Sequence, residues 1–574
     1  MLKPNSNHSE VEHIKDRSDY LRGYLQESLQ HEITGSVHND DTQVIKFHGS
    51  YQQTDRDLES ERKLQKLEPL YSFMIRIRLA GGVIAPKQWI KLDNLSYKYG
   101  SNTLKITTRQ AIQLHGITKI NLKKTIAGFN EVLLDSIAGC GDVNRNVMCN
   151  PNPYQSMIHD QILLDAQAIS AHLTPKTSAY WEVWLQDQEN DSNSPLINKG
   201  KIEDSEPIYS RLYLPRKFKI ALAIPPNNDI DLFANDIGLI AISENENLIG
   251  YNIMIGGGLG MTFGMDKTYP RLGDSLGFVK KEYVIDICEK IVTIQRDWGN
   301  REDRKFSRLK YTIDKFGLDV FLAELKHRCN YAIEKEKPFH FESNGDEFGW
   351  TTNFDGTVNF TLFVEGGRVK DSENKLLKTA LREIAEIHDG DFRLTGNQNI
   401  IITKISSSQK NSIIGILQKY KIVTDFSSIS GLRLNSLACV ALNTCSLAFA
   451  EAERYLPKLI DKIDLILKEF ELEKEPIIIR MTGCPNGCAR PYLGEIGLVG
   501  RSLGKYNLYL GASHSGDRLN KLYKELLDED QIIATLRPIF KDYATKRLPQ
   551  EYFGDFTIRM NYVKATTQGL NFHA

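Results

Sequence analysis

Two stretches of this chain have the same shape, and a chain that repeats itself must find a fold in which two like units pack together. Arg76-Ile77-Arg78-Leu79-Ala80-Gly81-Gly82-Val83 alternates like a strand and runs into a Gly-Gly turn, and Leu362-Phe363-Val364-Glu365-Gly366-Gly367-Arg368-Val369 does the same. A second strand follows each turn, placing Gln110 28 residues beyond Gly82 and Gln398 31 residues beyond Gly367. Each half then reaches a cysteine: Cys149 stands 39 residues after Gln110, and Cys439 41 after Gln398. Three landmarks in register predict an internal duplication, with Cys149 as the first copy's relic of a position used in the second.

Between the paired strands, residues 86–97 and 375–388 read as helices, the second carrying Leu377, Ala380, Leu381, Ile384 and Ile387 at helical spacing. Residues 456–470 read as an amphipathic helix, followed by a buried strand at Ile477-Ile478-Ile479. The expected fold class is α/β (mixed α+β) with an internal pseudo-twofold. The expected division is an N-terminal arm over 1–69, half-domains 70–139 and 349–410 paired into one domain, and flanking domains over 140–348 and 411–574. The stretch 187–206, rich in Asp, Asn and Ser, predicts an exposed excursion.

Four cysteines stand in tight pairs: Cys439 and Cys445 as C-x5-C, then, after a 38-residue gap, Thr482-Gly483-Cys484-Pro485-Asn486-Gly487-Cys488. Four thiolates suit an iron–sulfur cluster or a structural zinc ion. Zinc knuckles usually space their pairs by two to four residues, so C-x5-C favours the cluster, with zinc left open. The other cysteines, Cys140, Cys149, Cys288 and Cys329, are scattered singly and read as buried thiols.

Composition excludes several classes. Seventy-two basic residues against seventy-three acidic ones give a net charge of −1, so no bulk field holds nucleic acid or an anionic membrane. No eighteen apolar residues run together, which argues against a membrane span. Eight cysteines in 574 residues suit a reducing compartment, and a soluble cytoplasmic protein is expected. Gly256-Gly257-Gly258-Leu259-Gly260 has Met261 where a dinucleotide fingerprint needs its third glycine, so it reads as a tight turn or a close backbone approach.

Anion binding must therefore be local. Arg76 and Arg78 alternate with Ile75 and Ile77 and are expected on one face of a strand. Arg109 follows a repeated strand, Arg145 lies within Asn144-Arg145-Asn146, and Pro215-Arg216-Lys217-Phe218-Lys219 puts two lysines on one face. Such cations suit a small oxyanion or a polycarboxylate cofactor.

Taken together and in order, the C-x5-C and T-G-C-P-N-G-C thiolates, the Arg-x-Arg-Leu-x-Gly-Gly strand, Asn-Arg-Asn and Pro-Arg-Lys-Phe-Lys resemble the sirohaem and [4Fe–4S] nitrite and sulfite reductase family. The likeness is nearest to the haemoprotein (beta) subunits of its NADPH-dependent assimilatory members, and it runs from about Tyr20 to Phe556. The resemblance implies a three-domain architecture, with sirohaem and a [4Fe–4S] cluster as cofactors. It implies six-electron reduction of sulfite to sulfide for cysteine biosynthesis. Electrons would come from NADPH through a flavoprotein (FAD/FMN) alpha subunit in a hetero-oligomer, with ferredoxin-dependent sulfite or nitrite reduction as the alternative. It further implies that Cys439, Cys445, Cys484 and Cys488 bind the cubane, with Cys488 also a ligand of the haem iron. Arg76, Arg145, Lys217 and Lys219 would surround the substrate, while Arg109, Gln113, His115 and Asn486 would lie near the macrocycle and cluster. Retention of both Lys217 and Lys219 points to sulfite rather than nitrite. Lys105 and Ala80 depart from the arginine and proline of the family pattern, which puts the role of Lys105 in doubt. By the same likeness, Gln295, Asn300 and Arg301 fall in a segment that shapes the cofactor cavity.

Overall fold

The computed structural model describes residues 5–151, 157–185 and 204–574. Most of the expected excursion at 187–206 lies outside the described residues.

Both copies of the repeat build the same antiparallel unit. In the first, strand Tyr71–Arg76 pairs with Ile112–Ile117, which pairs with Leu104–Ile106. In the second, Val358–Leu362 pairs with Ile400–Ile405, which pairs with Phe392–Leu394. Each unit then lends a strand to the other: Val83–Ile84 pairs with Phe392 and Arg393, and Arg368–Val369 pairs with Lys105 and Leu104.

The Gly-Gly turns make that exchange possible. Gly82 and Gly367 adopt φ of 71° and 69°, a region open to glycine at no steric cost. A Cβ on Gly82 would fall 2.7 Å from the Leu394 carbonyl oxygen, and one on Gly367 2.5 Å from that of Ile106. The same two carbonyls accept from the repeated glutamines, Gln110 Nε2 to Leu394 at 3.0 Å and Gln398 Nε2 to Ile106 at 3.3 Å. The landmarks that betray the duplication in the sequence are thus the groups that touch across the pseudo-twofold.

The crossover helices Pro86–Tyr99 and Leu377–Ile387 pack against each other, burying Trp89 and Leu92 on one and Leu377, Ala380, Leu381 and Ile384 on the other. Asp93 ties them by ion pairs to Lys378 at 2.5 Å and Arg382 at 2.6 Å. The second helix begins two residues later than its periodicity predicts, because Lys375–Leu376 pairs as a short strand with Asp371–Ser372.

The duplication continues beyond these sheets. Met148–Cys149, Ile220–Ala223 and Ile237–Glu244 run parallel, and Asn247–Ile255 and Asp274–Lys280 return antiparallel. Ser436–Ala438, Ile479–Thr482, Ile496–Ser502, Lys505–Leu510 and Lys521–Leu527 repeat that order and those directions. Helix Leu456–Glu469 covers the second sheet, burying Leu456, Leu459, Ile460, Ile463, Ile466 and Leu467, each contributing about 1.5–3 kcal/mol of transfer free energy. At the N-terminus, Ser50–Thr54 joins the edge of the first sheet, and buried Lys15 and Arg301 both meet Glu12, fixing helix Glu10–Arg17 to the body. Among the described residues no helix is long and apolar enough to cross a membrane.

The turn geometry yields a stability test. Gly82→Ala, strained at positive φ and crowded by a carbonyl, should cost about 1–3 kcal/mol. Gly415→Ala, on an exposed turn of helix Ser407–Lys419 with open space around it, should stabilise by about 0.5–1 kcal/mol. Unfolding midpoints should move in opposite directions; parallel shifts would refute the reading of the turn.

Candidate active site

Strand Ile479–Thr482 runs directly into the loop Gly483 to Cys488, at the carboxyl end of the parallel strands of a mixed sheet, where open α/β folds place ligands. The loop fits closely because of its glycines: a Cβ on Gly483 would lie 2.6 Å from the Ala450 carbonyl oxygen, and Gly487 turns at φ 65°. Polar hydrogens are aimed at sulfur. Gly483 N–H donates to Cys439 Sγ at 3.3 Å, and Asn486 Nδ2 donates to Cys484 Sγ at 3.5 Å. The glycine run makes a close backbone approach: Gly260 stands beside Asn486, and Met261 N–H donates to the Pro485 carbonyl at 3.0 Å.

All four thiols line a single cavity of about 500 Å³. Cys488 is the exposed one, and with Lys217, Thr108 and Asn486 it also lines a smaller adjoining cavity. Burial and mutual repulsion push Cys439 and Cys484 up to about 12 and Cys445 up to about 11. Such thiols ionise at neutral pH only against a bound cation. Among the described residues no three His, Cys, Asp or Glu side chains converge closely enough for one metal ion. A tetrahedral zinc site needs its sulfurs about 2.3 Å from one centre. Thiols standing around a space suit a multi-iron cluster better.

The same cavity is also lined by cations. Arg76, Arg145, Lys217, Gln113 and His115 all face the larger cavity. Arg76 donates to Cys140 Sγ at 2.9 Å. With its amide turned to satisfy both neighbours, Gln113 accepts from Arg76 Nε at 3.0 Å and donates to His115 Nε2 at 3.3 Å. Burial, aided by the Arg368 charge, pushes His115 down to about 3, so the ring stays neutral. Asn144 and Phe218 form a parallel bridge, with Arg145 N–H donating to the Phe218 carbonyl at 2.9 Å. This bridge sets Arg145 beside Lys217 and Lys219 although more than seventy residues separate them in sequence.

Buried Arg145 stays charged: desolvation opposes its charge, but Tyr51, Cys140 and Asp142 hold its pKa above the ordinary guanidinium value. Lys217 is pushed down to about 7 by burial and by the charges of Arg216 and Arg308. Lys219 is pushed well down by burial and by Arg109 and Lys217. Lys219 and Arg109 line the smaller cavity. Arg109 donates to Asn235 Oδ1 at 2.8 Å and to the Ile220 carbonyl at 3.2 Å, yet its buried Nε has no hydrogen-bond partner among the described residues. An unsatisfied guanidinium N–H beside a second cation fits an anionic group, such as a carboxylate arm of a tetrapyrrole.

Several residues behave differently from their sequence pattern. The strand ends at Arg76, so Arg78 leaves its neighbour's face and pairs with Asp135 at 2.6 Å. Lys105 lines the cavity but is committed to Glu453 at 2.7 Å; Glu453 also pairs with Arg368 at 2.6 Å, and its N–H donates to the Cys439 carbonyl at 3.0 Å. Lys105 therefore braces the backbone at Cys439 through Glu453. Gln295, Asn300 and Arg301 stand away from both cavities: Gln295 donates to the Ser307 carbonyl and Asn300 caps a turn, while Arg301 holds the N-terminal helix through Glu12. Conversely, Lys46, Arg308 and Arg490 line the cavities without any sequence signal, while Tyr51, Arg216 and Arg304, which line the large one, lie in the stretches 48–53, 215–219 and 295–304 but were not named as site residues. Arg216 sits inside the Pro-Arg-Lys-Phe-Lys signal; Arg304 ends the charge-rich run 295–304, which reads equally as solvated surface, and Arg308 lies beyond that run.

Comparison with known proteins agrees with this geometry. The nitrite/sulfite reductase ferredoxin-like half-domain matches residues 65–132 and 354–420, one span in each copy of the repeat. The nitrite and sulphite reductase 4Fe-4S domain matches residues 141–332. The chain is 55% identical over 573 residues to the "Sulfite reductase [NADPH] hemoprotein beta-component" of Anoxybacillus flavithermus, covering 100% of this chain and 99% of that one. It is 55% identical to the protein of that name from Staphylococcus epidermidis, covering 99% and 98%. The structure of Mycobacterium tuberculosis NirA shares the fold, with a TM-score of 0.76 at 22% identity over 97% of each chain. Matches to both families' domains and a full-length likeness at this identity make the chain a member of the nitrite and sulphite reductase family.

Proposed function

We propose that this chain is the haemoprotein component of an NADPH-dependent sulfite reductase. The carrying observation is the single cavity lined by four thiols together with Arg76, Arg145 and Lys217. Cys439, Cys445, Cys484 and Cys488 would hold a [4Fe–4S] cluster, and Cys488, exposed to both cavities, would also serve sirohaem iron. When bound, these groups supply the electrons, delivered singly, for converting sulfite to sulfide. Arg109, Gln113, His115 and Asn486 line the space beside the thiols and would orient the macrocycle.

The remaining chemistry belongs to the protein. Arg145 and Arg76 hold fixed positive charge where the anion's oxygens would lie, stabilising charge as each oxygen departs as water. Lys217, near neutrality, holds a proton at Nζ and can release it; Lys219 supports the same step from the smaller cavity or holds a donor water. Two lysines match a doubly charged anion, which favours sulfite over nitrite. The name of the relatives, an [NADPH] hemoprotein beta-component, supports a flavoprotein alpha subunit as electron donor in a hetero-oligomer, and free thiols suit the cytoplasm. We read the chain as an arm over 1–69, paired half-domains over 70–139 and 349–410, and flanking domains over 140–348 and 411–574.

A visible spectrum of the purified protein, recorded with and without sulfite, tests the reading: haem and iron–sulfur bands that shift with sulfite are expected, and a colourless protein after reconstitution, or zinc without acid-labile sulfide, would end it. Arg145→Ala should keep those bands and lower kcat/KM for sulfite on the order of 10²; unchanged kinetics would remove Arg145 from substrate binding. Because Lys217 is charged below about pH 7 and neutral above, kcat/KM should fall as pH rises through that value. Sulfite's own protonation is common to all variants, so the limb due to Lys217 should vanish selectively in Lys217→Gln; identical profiles would exclude Lys217 as donor.

A further inference from the structure

The loop bearing Cys484 and Cys488 has a counterpart in the first repeat, and one carboxylate joins the two. Strand starts Ile220 and Ile479, turn starts Leu232 and Pro491, and strand starts Ile237 and Ile496 are each separated by the same 259 residues. At that spacing Pro226-Asn227 stands at Pro485-Asn486, Asp229 at Cys488 and Asp231 at Arg490. Asp231 and Arg490 share more than position: both precede their turn in the left-handed region, at φ 48° and 54°.

They also meet. Asp231 Oδ2 lies 2.8 Å from Arg490 Nε and 2.5 Å from Arg480 Nη1, and its Oδ1 accepts from Asn344 Nδ2 at 3.1 Å. The Asp231 and Arg480 side chains are each 1% exposed. Arg480 precedes Cys484 by four residues and Arg490 follows Cys488 by two, so the segment carrying two thiols is held at both ends by guanidinium groups on a single first-repeat carboxylate. Arg490 donates in addition to the Gly396 carbonyl at 2.6 Å and the Ile230 carbonyl at 3.2 Å, fastening the same point to the second half-domain. Asp231 faces neither cavity, although its neighbour Ile230 and its partner Arg490 line the smaller one.

We infer that Asp231 is a positioning residue for the redox centre. It sets where Cys484 and Cys488 stand relative to Arg109, Lys217 and Lys219, and it neutralises two buried guanidinium charges, of which that of Arg490 lines the same small cavity as Cys488. The inference rests on the cofactor reading above. Without the carboxylate, Arg490 would lose the foremost of its counter-charges, the added positive charge close to Cys488 would favour the reduced cluster, and the loop would lose its tie to the first repeat.

The test uses the reconstituted holoenzyme of wild type, Asp231→Asn, Asp231→Glu and Arg490→Lys. Iron, acid-labile sulfide and haem absorbance measure loading, an EPR-monitored redox titration measures the cluster potential, and sulfite turnover is read alongside. Asp231→Asn is expected to load both groups, to shift the cluster potential upward and to lose turnover by about 10–100-fold. Asp231→Glu, which keeps the charge, should restore the potential towards wild type. A wild-type potential and turnover in Asp231→Asn overturns the inference. Should Asp231→Asn fail to load, Arg490→Lys is decisive: it keeps the charge but loses the planar fork, and an unaltered EPR signal with wild-type turnover there overturns the inference equally. Absence of cluster and haem signals in wild type would instead defeat the functional reading.

Discussion

The reciprocal exchange of short strands between the two half-domains is the constraint on which everything else rests. Each Gly-Gly turn places its backbone against the last carbonyl of the other half's strand, and each repeated glutamine donates to that same carbonyl. Neither half can complete its sheet alone. The flanking sheets are thereby held at fixed positions around a common axis, and the cavity between them exists because the halves interlock. Thiols from the second repeat and cations from the first then line one cavity.

A symmetric scaffold nonetheless carries an asymmetric site, and packing shows why. Around Gly81 the space is closed: a Cβ there would lie 2.3 Å from Leu163 Cδ1, on helix Met157–His172, and 3.0 Å from Cys149 Sγ. At the counterpart Gly366, a Cβ would meet, among the described residues beyond its chain neighbours, only Glu453 Cγ within 4 Å. The first repeat has filled with a helix the region that the second leaves open. Cys149, sealed in an apolar setting, is pushed up to about 12 and behaves as a core residue. Asp229 occupies the position of Cys488, so the first repeat lacks a thiol there as well as the room to use one.

Electrostatics completes the division of labour. The net charge of −1 gives no field over the whole surface, yet cations crowd one wall. Desolvation and like-charge neighbours drive Lys217 and Lys219 towards neutrality, whereas Arg145 keeps its charge through Tyr51, Cys140 and Asp142. Fixed charge and mobile proton are thus assigned to different residue types, as their chemistry suggests.

The amino-acid sequence by itself determined the duplication, the four-thiol set and the local cationic motifs, because Gly-Gly turns, cysteine spacing and strand alternation are short-range signals. Even so, alternation misplaced Arg78, since nothing local announces that the strand stops at Arg76. Which cations share a cavity was decided by tertiary structure alone. The bridge of Asn144 to Phe218 joins Arg145 to Lys217, and the fold brings Arg304 to the wall while sending its neighbour Arg301 to Glu12. The pairing of Asp231 with Arg480 and Arg490 is equally invisible along the chain, because a buried ion pair depends on two distant backbones arriving at one point, and residue spacing carries no record of that meeting.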